Sequence, residues 1–461
     1  MLSSKRLLDK KRGRGKNPRF MPANGVSVMR SFASLVLLLA AAAALGQTPP
    51  PALLDAEASD PRALGLMQGF PPAADKTVRL ADGSLWKFPQ IRWAFTHTRE
   101  LGPTVNVWRG AGKAGVLPRA ERKDLDEVGF TTLDGKPMTW AQSLAANYAD
   151  GVIVMHKGKV VYERYFGALD AHTPHILMSA TKSLVGTFAA MLVQEGRLDP
   201  DAQVTRYVPE MKDSAYADAT VRQVMDMTTS VQYSEKYADP NAEIWLYIAA
   251  GGWFPTRPDY KGPRSLYGFL PPLKKEGEHG QAFAYKTPNA ELLGWIIQRA
   301  SGKSMAQLLS ENIWQKIGAE EDALFAVDSV GTASAGGGLA ATLRDFARIG
   351  EMFRLEGKFN GRQIVPKAVI DDIRRGGDKE HFARAGYTTL PGWSYRNMVW
   401  VSHNEHGAYS LRGIHGQALW IDPKAEMVIA RFASNPVAAN TANDPVSLPA
   451  YMALAKHLMK K

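Results

Sequence analysis

Met178-Ser179-Ala180-Thr181-Lys182-Ser183-Leu184-Val185-Gly186 is the stretch around which the chain is organised. It reads as the start of a buried helix carrying a serine and a lysine on one face, because residues three apart on a helix are neighbours. A serine hydroxyl is a weak nucleophile until a base takes its proton, and a lysine one turn on can arrange that. At the helix N-terminus the Ser179 N–H also lies at the positive end of the dipole, where an oxyanion can be held. Beyond Lys182 the residues Leu184, Val185, Phe188, Ala189, Met191 and Leu192 are apolar nearly all round, so the helix is central, and Gly196 ends it.

A second Ser-x-x-Lys, Ser84-Leu85-Trp86-Lys87, follows Asp82-Gly83 and reads as a turn feeding a short strand. Its two side chains share no helical face there. Trp86, Trp93 and Trp108 in the same region read as packing residues.

Composition narrows the chemistry. The 461 residues are 45% hydrophobic and 22% charged, ordinary for one large or two medium cores. There is no cysteine, which excludes disulfides, thiol catalysis and cysteine-ligated metals. Of the net charge of +11, +8 lies in residues 1–30, where nine basic residues face Asp9 alone. The rest of the chain is close to neutral, so nucleic acid is not an expected partner. Met29-Arg30 and the apolar run Ser31–Leu45 make a signal peptide, with cleavage before Gln47; the sequence leaves the start open between Met1 and Met29. The run is short for a membrane span, so the expectation is a periplasmic or secreted protein without a stable span.

Residues 1–46 are thus a leader, 47–140 a proline-rich linker and N-terminal extension, and 141–461 the catalytic domain. Within it, Gly151–His156 and Lys159–Phe166 flank Lys157-Gly158 as a hairpin. A mainly helical lobe spans about 199–350, with helices opening at Thr220, Asn289 and Thr342. Strands return at Asn397–Ser402, Gln417–Ile421 and Glu426–Phe432, before a last helix from Leu448 to Met459. Strands at both ends with helices between give an α+β class, an antiparallel sheet built from N- and C-terminal segments with an inserted helical lobe.

Other chemistries lack their residues. No Gly-x-Ser-x-Gly elbow is present. Gly302-Lys303-Ser304 has Ile297 where a phosphate loop needs glycine. His403 and His406 lack a third metal ligand, so no metal or cofactor is expected.

With Ser179 and Lys182 as its first motif, the chain resembles the β-lactamase-related serine hydrolases of the penicillin-binding fold. Among them it is most similar to the 6-aminohexanoate-dimer hydrolase and family VIII esterase type. The resemblance runs from about Leu66 to the C-terminus and opens on Met67-Gln68-Gly69-Phe70-Pro71-Pro72; Ser334–Arg348 and Ala430–Pro436 also follow the pattern. The second motif, Tyr-x-Asn, is matched at Tyr285, with its asparagine displaced to Asn289, where it can equally cap a helix. The third motif is replaced by Gly413-Ile414-His415-Gly416-Gln417, as in nylon-oligomer hydrolases. The loop Tyr233–Asp239 resembles the one in which those relatives place a substrate-contacting tyrosine, here Tyr237.

The resemblance implies an acyl-enzyme on Ser179, with Lys182 and Tyr285 moving protons and a small-molecule amide or ester as substrate. A phenol beside an ammonium is expected to shift toward phenolate, which suits Tyr285 as a base. The oxyanion hole would combine the Ser179 N–H with one from the Gly416–Ala418 strand, and His415, Gly416, Gln417 and Asn289 would join Tyr237 around the substrate. A D,D-peptidase or β-lactamase, and a cell-wall-peptide binding domain without turnover, are the alternatives. The sequence sets neither the substrate nor the oligomeric state.

Overall fold

Lys157 and Gly158 both take positive φ, 49° and 77°, and so close strands Ala149–His156 and Lys159–Tyr165 into the expected hairpin. In the computed structural model, which describes residues 53–460, this hairpin forms one edge of a seven-stranded antiparallel sheet. The signal peptide, Met1 and Met29 lie outside the described residues. The remaining strands run outward from the hairpin as Met427–Ala433, Gln417–Asp422, Tyr409–Gly413, Val399–Val401 and Ser394–Arg396. Val154 faces Ile429, so the first sheet strand is joined directly to the last.

Adjacent residues of Met427–Ala433 serve opposite faces. Phe432 stacks on Phe346 of helix Leu343–Arg354, with ring centres 5.4 Å apart. Arg431 points the other way, toward Tyr451 of helix Asp444–Met459, and that ring also meets Trp420 at 5.5 Å. Sheet residues are therefore buried on both faces, which explains why Met427–Ala433 is apolar apart from Arg431. The last helix begins four residues before Leu448, because Pro445 suits a first turn.

The serine–lysine helix spans Ala180–Gln194, and its first 13 residues are all buried. It lies against the turn at Asn397 and Met398, both in left-handed backbone, and Ser183 Oγ donates to Met398 O at 2.6 Å. The approach is so close that a Cβ on Gly186 would stand 2.0 Å from Asn397 O. We expect Gly186→Ala to cost at least about 3 kcal/mol by overpacking, read as a marked fall in Tm. An unchanged Tm would mean that helix and turn separate more easily than the contact implies.

Two expectations change. Residues 199–350 hold helices Val221–Met225, Glu243–Ala250, Pro288–Ser301 and Met305–Leu309, yet Ala323–Ala326 and Leu339–Ala341 are strands. They form a second sheet with His175–Ile176 and Thr104–Val107. The last of these comes from the extension, and the described residues from Leu54 onward belong to one compact unit. The extension is thus woven into the fold, with Arg92 buried and 3.6 Å from Asp150. Second, the turn at Asp82-Gly83 feeds no strand. Asp82 Oδ1 accepts from the Ser84 N–H at 2.9 Å, and Ser84–Trp86 winds into a single 3-10 turn. The Trp86 indole then donates to Trp253 O at 2.7 Å, a tertiary bond that local pattern does not reveal.

Candidate active site

Helix Ala180–Gln194 starts immediately after Ser179, whose neighbour Met178 is held at φ 48°. A non-glycine residue there is uncommon and marks a backbone fixed by its surroundings. Lys182 is 1% exposed, and its Nζ lies 2.8 Å from Ser179 Oγ while also bonding Gly336 O. Tyr285 sits in the loop leading to helix Pro288–Ser301, with its ring centre 5.3 Å from Lys182 Nζ. The structure thus brings Ser179, Lys182 and Tyr285 to one point.

Their ionisation differs from the expectation. Burial lowers the Lys182 pKa from 10.5 to about 8, against the smaller opposing pull of Glu235 and Glu291. Burial likewise holds Tyr285 well above its ordinary value; the Glu235 carboxylate adds to this and the Ser179 hydroxyl opposes it. Tyr285 is a phenol here, not a phenolate. Desolvation is the largest cause, because it penalises any charge at the site. Lys182 is instead the group brought near neutrality. Once it loses a proton, it keeps an N–H for Gly336 O and turns its lone pair to the Ser179 hydroxyl across the same 2.8 Å.

Two carboxylates not foreseen from the sequence shape this centre. Glu291 is fully buried and accepts from Tyr247 Oη at 2.5 Å, Ser334 Oγ at 2.9 Å, Ala335 N at 3.0 Å and Gly336 N at 2.8 Å. It pins the turn whose carbonyl holds Lys182. Glu235 accepts from the Thr287 N–H and faces Tyr285 and Tyr237. An acid in a polar loop, or one on an otherwise apolar helix, carries no local mark of such a role.

Two cavities meet at Ser179, Tyr237 and Ile414. One is walled by apolar side chains, among them Trp86, Ile244, Ile248, Trp253 and Leu266. The other is the more polar of the two, with Glu235, Tyr285, Tyr387, Arg412 and Asp444 among its lining residues. Tyr237 therefore stands where a substrate contact is expected. Trp86, read as a packing residue, does pack edge-on against Trp245 and also walls the apolar cavity.

His415, Gly416, Gln417 and Asn289 line neither cavity. His415 is buried, its Nδ1 2.7 Å from Asn435 O, and burial takes its pKa to about 4. Gln417 Nε2 donates to Ala433 O at 2.6 Å and to Ile414 O at 3.2 Å, while Gly416 turns at φ 96°. These three hold the turn that presents Ile414, which lines both cavities, whereas no residue of Gly416–Ala418 lines either. Asn289 is fully buried and accepts from Thr229 Oγ1 at 2.7 Å, and Thr287, not Asn289, precedes the helix. The two histidines near residue 403 also serve the fold, His403 with Ser394 and His406 with Asp422, each at 2.7 Å.

Comparison with known proteins agrees with this architecture. The β-lactamase family model matches residues 141–447. A 6-aminohexanoate-dimer hydrolase from Paenarthrobacter ureafaciens is 36% identical over 349 residues, which cover 76% of this chain and 86% of that protein. A solved Bacillus anthracis structure, assigned by its name to the same hydrolases, is 33% identical with a TM-score of 0.76, covering 84% of this chain and 99% of that one. A penicillin-binding protein homologue from Caulobacter crescentus shares only the fold, at 16% identity and a TM-score of 0.50, covering 68% and 96%. The chain belongs to the β-lactamase family of penicillin-binding fold, and it is a hydrolase related to 6-aminohexanoate-dimer hydrolase.

Proposed function

We propose that the protein is an exported serine hydrolase that cleaves an amide or ester, as a 6-aminohexanoate-oligomer-hydrolase-like enzyme, through an acyl-enzyme on Ser179. The observation that carries this is the 2.8 Å contact between Ser179 Oγ and a buried Lys182 whose pKa lies at about 8. Neutral Lys182 takes the Ser179 proton as Oγ bonds to the substrate carbonyl carbon. The backbone N–H groups of Ser179 and Ile414 hold the oxygen that gains charge. The proton then passes by way of Tyr285 to the leaving nitrogen or oxygen, and the bond from that atom to the acyl carbon breaks. Water repeats the sequence in reverse, with Lys182 and Tyr285 taking its proton and returning one to Ser179. Export rests on the leader and is tested by N-terminal sequencing of the protein recovered outside the cytoplasm.

Turnover of p-nitrophenyl esters and of an N-acyl p-nitroanilide, with a chromogenic cephalosporin alongside, tests the reaction. We expect ester and amide cleavage with little cephalosporin hydrolysis. Efficient cephalosporin turnover would restore the β-lactamase reading, and no turnover at all would favour a binding domain.

Acid–base chemistry supplies a further expectation. With Lys182 required neutral, kcat/KM rises with pH along a limb centred near 8. Burial raises the Glu235 pKa, and in its ionised form Glu235 favours the charged lysine, so Glu235→Gln lowers the Lys182 pKa and moves this limb to lower pH. A pH–rate profile in which the limb stays in place or moves up would remove Glu235 from the electrostatics of the site.

A further inference from the structure

The two cavities at Ser179 differ in chemistry and in their relation to Tyr285. Tyr285 lines the polar cavity and not the apolar one. The atom that leaves must receive its proton from the side on which the donor stands, so the leaving group departs into the polar cavity. That places the acyl group in the other cavity.

Among the described residues, no charged side chain lines this apolar cavity. Several polar atoms in its wall are already committed. The Trp86 indole donates to Trp253 O, and the Trp253 indole donates to Val327 O at 3.1 Å. Tyr247 and Ser334 hydroxyls bond Glu291, which lies behind the wall and has four donors of its own. Asp328, also behind it, accepts from the N–H groups of Leu266, Val330 and Thr332. An ammonium entering here would lose its water, while Glu291 and Asp328 are already bonded and Glu235, which accepts from the Thr287 N–H, lines the other cavity.

We infer that the apolar cavity is an acyl site for uncharged hydrocarbon chains, walled on one side by Trp86 from the N-terminal extension, and that it discriminates against chains ending in an ammonium. The substrate class that follows is an ester or amide of a neutral aliphatic acid with a polar leaving group. This differs from the amine-ended acyl unit implied by the name of the Paenarthrobacter ureafaciens relative. The inference rests on the acyl-enzyme reading given above.

The test compares p-nitrophenyl heptanoate with p-nitrophenyl 6-aminohexanoate, whose acyl chains differ by methyl against ammonium at the end. We expect kcat/KM at pH 7 to favour heptanoate by about a hundredfold. In parallel, calorimetry on the Ser179→Ala protein measures binding of heptanamide and 6-aminohexanamide, which reads the cavity without the chemistry. Heptanamide is expected to bind at least about tenfold more tightly, and Trp86→Ala in that background to weaken it several-fold. Absence of turnover with the binding preference intact would sink the catalytic reading and leave the apolar site standing. Equal or stronger binding of 6-aminohexanamide, or heptanamide binding indifferent to Trp86→Ala, would overturn the inference, whatever the enzyme hydrolyses.

Discussion

Ser179→Ala is expected to lower ester turnover by roughly 10⁴-fold or more, and to abolish labelling by a serine-reactive phosphonate. The size of the effect follows from the order of the chemistry. Without Oγ there is no covalent intermediate, and Lys182 and Tyr285 have no hydroxyl between them to relay a proton. What survives is the stabilisation offered by the two backbone N–H groups and by substrate binding. The fold should be untouched, since Ser179 is small and its side chain does not cap the helix that it precedes. Wild-type and variant proteins compared by intact mass and turnover provide the check. Retention of either adduct or activity would move the nucleophile elsewhere.

The second large effect is Lys182→Met, which should inactivate the enzyme and at the same time stabilise it. The two consequences share a cause. Lys182 is fully buried, and its folded-state pKa of about 8 lies below the 10.5 of an exposed lysine. At pH 7 the side chain is largely charged whether the chain is folded or not, so folding must desolvate an ammonium. By linkage that costs about 3 kcal/mol. The penalty is present in full below pH 8 and fades as pH climbs from 8 toward 10.5, where the unfolded state also gives up its proton. Methionine has nearly the same shape and no charge. It also abandons the bond to Gly336 O, which takes back about 1 kcal/mol. A net gain of about 2 kcal/mol is left, visible as a raised Tm at pH 7 that shrinks by pH 10. The rate should fall by at least about 10²-fold. A variant destabilised at pH 7 would show that Lys182 is held by contacts worth more than its desolvation.

The serine and lysine were legible in the sequence because helical spacing alone puts them on one face, and the apolar run behind them marks the helix as central. The hairpin at Lys157-Gly158 and the capped starts at Thr220 and Thr342 were legible for the same reason, since a turn or a cap is a local matter. Tyr285 was reached through its motif, but its ionisation was not, because burial and Glu235, a neighbour from a separate loop, set it. His415 looked like a loop residue open to a ligand. Its burial under the chain around Asn435 exists only after the sheet closes. Trp86 packs as read, but its place in the cavity wall was hidden for a similar reason: the extension carries it across to Trp253, a long-range contact that no window of sequence contains. Glu291 was invisible because what it does depends on the turn at Gly336 coming back to meet it.

The most direct measurement is to quench the wild-type protein with acid during turnover of a p-nitrophenyl ester and to map its intact mass and peptides. The account predicts a fraction heavier by one acyl group, with the label on the peptide that carries Ser179 and absent from Ser179→Ala. Steady turnover with no acylated protein at any quench time, or with the acyl group on another residue, would contradict it.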